Sequence, residues 1–154
     1  MDISDEIRKL DGASEAFLSR CDRETARRRI LWYRESVRPE SLEGATLVEK
    51  GYHLVLLKLG IAEEEAPIVS NDGTRLVFHS KNFCPTLEAC RYLGIDTRKI
   101  CRLYNENATD ALVKELDSRL RFTRNYDMLR PYTDYCEEMI CLDTPSRPDG
   151  RRSE

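Results

Sequence analysis

No apolar run in this 154-residue chain exceeds four residues, as in "LVLL" at 54 to 57. That is far short of the roughly 20 residues a membrane-spanning helix needs, so no transmembrane segment is expected. The opening "MDISDEIRKLDG" lacks the basic-then-apolar order of a secretory leader, and a cytoplasmic location with reduced thiols follows as the expectation. Positive charge is not in excess either. With 25 Lys and Arg against 28 Asp and Glu, the net charge of -3 argues against nucleic acid as a partner. There is no CxxC, so the six cysteines fit no standard zinc-finger or ferredoxin spacing. Histidine is scarce. Only His53 and His79 are present, which leaves few groups that titrate near neutral pH for general acid–base work.

What is present reads as one α+β domain over residues 1–143, followed by a polar tail, "TPSRPDGRRSE", expected to be disordered from 144 to 154. Phe17, Cys21, Ile30, Leu31 and Val37 recur loosely at helical spacing and predict a helix over 13–37 that stops at Arg38-Pro39. Its arginines, Arg23, Arg27, Arg28, Arg29 and Arg34, are expected on a solvated face. A second helix is predicted over 42–59, with Ser41 as cap and Gly60 as stop. Asn71-Asp72-Gly73 between apolar stretches predicts a β-hairpin with Val77 and Phe78 on opposite faces. Pro85 and Gly94 bracket a short helix, Asp96 caps another, and Thr109 is expected to cap a third. "RLRFTRNY" and "EEMICL" read as strands. The expected architecture is N-terminal helices packed on an antiparallel sheet that includes the hairpin.

Six reduced cysteines point to packing, metal ligation or reactivity rather than to disulfides. Cys84, just before Pro85, sits at a helix start where free N–H groups favour an anion. That predicts a lowered thiol pKa and a nucleophile or ligand, against the alternative of a small apolar residue. Cys90 and Cys21 read as packing residues. Cys136 and Cys141, five apart in one strand, face opposite ways. Cys84, Cys101 and Cys136 lie near the ends of different elements and are expected to share one site, as three metal ligands with an open fourth position. The metal would be zinc or an iron–sulfur cluster, and His79 would be a fourth ligand or, with Cys84 as nucleophile, the catalytic acid or base.

From Cys84 to Ile140 the order of parts resembles the L-2-amino-thiazoline-4-carboxylic acid hydrolase-like family and the related four-vinyl-reductase sensor domains. The parts are "CP" with a short helix, "TRKICRLYNENATDAL", "DSRLRFTRNYDML" and "YCEEMI". Leu120, Phe122, Arg124, Leu129 and Cys136 stand at corresponding places, and Cys101 matches the upstream cysteine. The glycine usual in the turn before the last cysteine is replaced by "RPYTDY", and Glu137 follows Cys136. The resemblance implies a ligand-binding fold in which Cys101 and Cys136 approach each other. Members of those families hydrolyse a small sulfur heterocycle, or bind small effectors and a structural metal. Three functions are therefore open: a small-molecule-binding domain with a thiolate metal site, a hydrolase of a small sulfur heterocycle, or an interaction module with an inert cysteine-rich core. The expected partner is a small organic ligand, with no membrane or nucleic acid, and the sequence leaves room for a homodimer.

Overall fold

The computed structural model describes residues 2–143, so the tail expected from 144 lies outside the described residues. The fold is α+β, with helices α1 (Ile3–Leu10), α2 (Glu15–Ser36), α3 (Leu47–Leu59), α4 (Pro85–Leu93), α5 (Thr97–Tyr104) and α6 (Glu106–Leu116). Strands β1 (Ile68–Asn71), β2 (Arg75–Ser80), β3 (Leu120–Arg124) and β4 (Cys136–Leu142) form one antiparallel sheet in the order β1-β2-β4-β3. No described helix is long and apolar enough to cross a membrane.

The local chemistry explains most of these boundaries. Ser14 accepts a hydrogen bond from the Phe17 N–H at the start of α2, Pro85 takes the first turn of α4, and Asp96 caps α5 through the Arg98 N–H. Gly60 and Gly94 end α3 and α4 at φ 67° and 68°, the left-handed conformation that other residues resist. The Asn71 and Asp72 side chains accept backbone N–H groups of Gly73, Thr74 and Arg75, which closes the β1–β2 turn as expected from the sequence.

Four elements depart from expectation. Residues 3–10 form a helix, capped by Asp2, that buries Glu6 and Leu10. The second helix starts at Leu47 with Thr46 as its cap, because Pro39–Ser41 makes its own 3-10 turn and Gly44 bends the chain at φ 130°. Thr109 lies inside α6 rather than capping it. The helix begins at Glu106, and the buried Asp22 of α2 accepts the Ala108 N–H at 2.8 Å in place of a local cap. Val77 does face away from Phe78, yet it is buried too.

Helix α3 lies against one face of the sheet. Gly51 allows the close approach, since a Cβ there would meet Ile140 Cγ2 at 3.3 Å. Leu76, Phe78, Leu120, Phe122 and Ile140 from that face join Tyr52, Val55 and Val113 in the main core. The two-residue period then puts Ser80, Arg124, Cys136 and Glu138 on the same face, one or two rows further along. Directly opposed positions run Leu76, Ile140, Phe122, then Phe78, Glu138, Arg124, then Ser80 and Cys136. One face is thus apolar at one end and polar at the other.

Candidate functional site

The polar end of the sheet is the floor of a cavity of about 380 Å³. Its centre is an ion pair: Arg124 Nε donates to Glu138 Oε2 at 2.7 Å, with the side chains 10% and 12% exposed. Ser80 Oγ donates to the other Glu138 oxygen at 2.5 Å, and Arg124 Nη1 donates to Asn105 Oδ1 at 2.8 Å. Burial works most strongly against the charge on Arg124, but Glu138 together with Cys101 and Tyr126 outweighs it and holds the guanidinium above its usual pKa. The bond to Arg124 also explains the missing local cap of α6, because the Asn105 side chain is committed to the cavity.

The opposite wall comes from the helices. Arg29 of α2 reaches in and donates to Thr109 Oγ1 at 3.0 Å, while Arg28 lines the same space. The expectation of a solvated arginine face therefore fails at Arg29. Burial and then the neighbouring Arg124 push its pKa down to about 10, with Asp22 opposing. From α1, Glu6 enters the wall at 3% exposure, its two oxygens accepting from Thr86 Oγ1 at 2.8 Å and Tyr104 Oη at 3.0 Å. Burial and then Glu6 raise the Tyr104 hydroxyl well above its usual range. No Lys, Arg or His forms an ion pair with Glu6 among the described residues.

Cys84, Cys101 and Cys136 all line this cavity. Cys84 arrives at the N-cap of α4, Cys101 from α5, and Cys136 as the first residue of β4. Burial raises the Cys84 thiol, outweighing the Leu87 N–H and the guanidiniums of Arg130 and Arg124, and pushes Cys101 up to about 12. The lowered Cys84 pKa expected from the helix start is therefore reversed: desolvation wins over the helix end. Arg130 Nε meets Cys136 Sγ at 3.3 Å, and Arg130 is itself held by Nη1 on the Asn82 carbonyl at 2.8 Å.

His79 is not part of this site. It occupies the opposite sheet face, stacked on Tyr135 at 3.8 Å between ring centroids, with Nε2 3.0 Å from Glu137. Glu137 is held below its usual pKa by Asn125 first and His79 second. Cys90 is 1% exposed in a core of Leu10, Leu18, Ala89 and Ile100, and Cys21 packs beside it.

The three cavity thiols as they stand do not fit a metal ion. Zinc–thiolate bonds of about 2.3 Å need sulfurs about 3.5–4 Å apart. Among the described residues, the one set of three His, Cys, Asp or Glu ligand atoms mutually within 4.8 Å is Glu43, His53 and Glu63. Cationic side chains also dominate the wall. Lys9 and four arginines (Arg28, Arg29, Arg124 and Arg130) face two carboxylates, Glu6 and Glu138. Such a cavity favours an anion over a metal cation.

Arg124 and Glu138 carry a sequence signal in their strand parity. Arg124 has the parity of Leu120 and Phe122, and Glu138 that of Ile140, so both had to face inward. Arg29 and Glu6 had no such signal, because only the packing of α1 and α2 turns them toward the cavity. Comparison with known proteins finds no family model, no curated protein and no solved structure that matches the chain.

Proposed function

We propose that this chain binds a small organic anion in the cavity between the sheet end and α1, α2 and α5. The observation that carries this reading is the pair of guanidiniums in one cavity, part-buried Arg29 on the helical wall and Arg124 on the sheet floor. Arg124 is neutralised by Glu138, whereas Arg29 makes one side-chain hydrogen bond, to Thr109, and has donors left over for a carboxylate. Glu6, also on the helical side, adds an acceptor suited to an N–H group. A ligand carrying both a carboxylate and an amine or amidine uses Arg29 and Glu6 together. About 380 Å³ suits a molecule of amino-acid size rather than a large cofactor.

Calorimetry and thermal melting against small carboxylates, amines and molecules bearing both groups, including 2-amino-thiazoline-4-carboxylate, test the proposal. Carboxylate-bearing compounds should raise the melting point, and R29Q should remove most of that rise. Saturation at 100 times Kd is worth about 2.7 kcal/mol. A panel without effect, or an R29Q protein that responds like the parent, overturns it. Metal analysis on protein purified without oxygen runs in parallel. A stoichiometric ion lost in C136S would restore the thiolate-metal reading of Cys84, Cys101 and Cys136 instead.

A second reading, hydrolysis of a small sulfur heterocycle, is favoured by the Arg130–Cys136 contact. It places a cationic donor on the one cavity sulfur where negative charge would be used in attack. In that reading Cys136 replaces Cys84 as nucleophile, and His79 takes no part. Loss of the thiazoline over time in the parent but not in C136S would distinguish catalysis from binding.

A further inference from the structure

We infer that Glu43, His53 and Glu63 form a binding site for a divalent first-row transition-metal ion, separate from the thiol-lined cavity. The three residues come from three segments: the bend before α3, the α3 helix itself, and the first residue of the 3-10 turn Glu63–Glu65. Together they wall a second pocket with Leu42, Leu56 and Ile61.

His53 supplies the argument. Its Nδ1 lies 3.0 Å from the Glu43 carbonyl and 3.0 Å from the Glu49 carbonyl, two acceptors with no proton to offer. The ring proton therefore belongs on Nδ1, and Nε2 is the ligating nitrogen. Carbonyl anchoring of the far nitrogen is the arrangement that orients histidines in metal sites. Nε2 points at Glu63 Oε2, 3.5 Å away, and at Glu43 Oε1, 3.9 Å away. A nitrogen facing two carboxylate oxygens needs a cation between them, either a proton on the ring, which leaves an ion pair, or a metal ion shared by all three groups. Bonds of about 2.0–2.2 Å around a tetrahedral ion put neighbouring ligand atoms about 3.3–3.6 Å apart. The His53–Glu63 distance already matches, the His53–Glu43 distance exceeds it by a few tenths of an ångström, and the Glu43 side chain, 80% exposed, is free to move.

One imidazole nitrogen with two carboxylate oxygens suits zinc, cobalt, nickel or iron(II), and the exposed side leaves room for water ligands. Bound there, the ion ties the segment before α3 to the one after it.

The test uses Co2+ added to the full-length protein, read by visible absorption and by thermal melting. One ion per chain should bind with the weak bands of nitrogen and oxygen ligation and raise the melting point. H53Q should abolish both effects, and E63Q, at an exposed position that leaves the fold intact, should weaken binding at least tenfold. C136S should bind as the parent does. No uptake, a spectrum of thiolate ligation alone, or unchanged binding in E63Q and H53Q would each overturn the site.

Discussion

The two ends of one sheet face follow the same alternation and differ in what they bury. Under α3 the inward positions are Leu76, Phe122 and Ile140, all 2% exposed or less. Beyond Phe78 they become Ser80, Arg124, Glu138 and Cys136, around a cavity. Apolar side chains at those positions would have continued the core at no desolvation cost. Instead an ion pair sits where it must repay the loss of water, and buried pairs of this kind seldom add net stability. The polar end is therefore the part of the fold whose composition stability does not explain, and the proposed ligand binding would account for it.

The largest expected effect lies at the apolar end. Phe78 is fully buried against Tyr52, with ring centroids 5.1 Å apart. Phe78→Ala should destabilise the protein by about 3–5 kcal/mol in denaturant titration. Its anion affinity should be unchanged wherever the variant remains folded. If ligand binding fails in folded F78A, the two ends are not independent.

Next in size, Arg124→Met should cost about 3 kcal/mol, because Glu138 is left buried with only Ser80 as donor. Replacing both, as R124M/E138L, should recover most of that loss, since the freed Ser80 and Asn105 groups face the cavity and its water. Anion binding should nonetheless vanish in the double variant. A double variant less stable than R124M would mean that the ion pair holds the fold together, and the functional account of the polar end would lose its basis.

The same contrast marks how far the sequence could be read. Elements whose signals are local were legible: the Asn71-Asp72-Gly73 turn, the Pro85 and Gly94 limits of α4, the Asp96 cap, and the antiparallel α+β arrangement. Cys84 at the start of α4 and Cys136 at the start of β4 were legible, whereas Cys101 lies mid-helix in α5 rather than near an end; all three line one cavity. Illegible features depend on tertiary packing. The Thr46 start of α3 is set by a bend at Gly44, and Asp22 caps α6 from 86 residues away. Arg29 belongs to a helix whose other arginines are exposed, so composition alone hid it. The sign of the Cys84 shift was misjudged because a helix end is visible in sequence and desolvation is not.

The smallest expected effect compares two thiols, one at each kind of environment. Cys101 lines the cavity and Cys90 lies in the packed core, yet burial pushes both up to about 12 from an ordinary value of 9.0. A thiol whose pKa is raised by folding keeps its proton in the native state while the unfolded chain releases it. Its contribution is thus fully present below pH 9 and is lost as pH rises from 9 towards 12. The melting point should fall over that window, and C101A, which has no thiol to titrate, should flatten the fall by a few degrees, on the scale of about 2–4 °C per kcal/mol. C90A should flatten it as well, but from a lower starting point, because it also opens a hole in a packed core. Parallel curves for C101A and the parent would show that water reaches Cys101 freely, and the cavity would then be too wet to enforce the burial that depresses Arg29 in its wall.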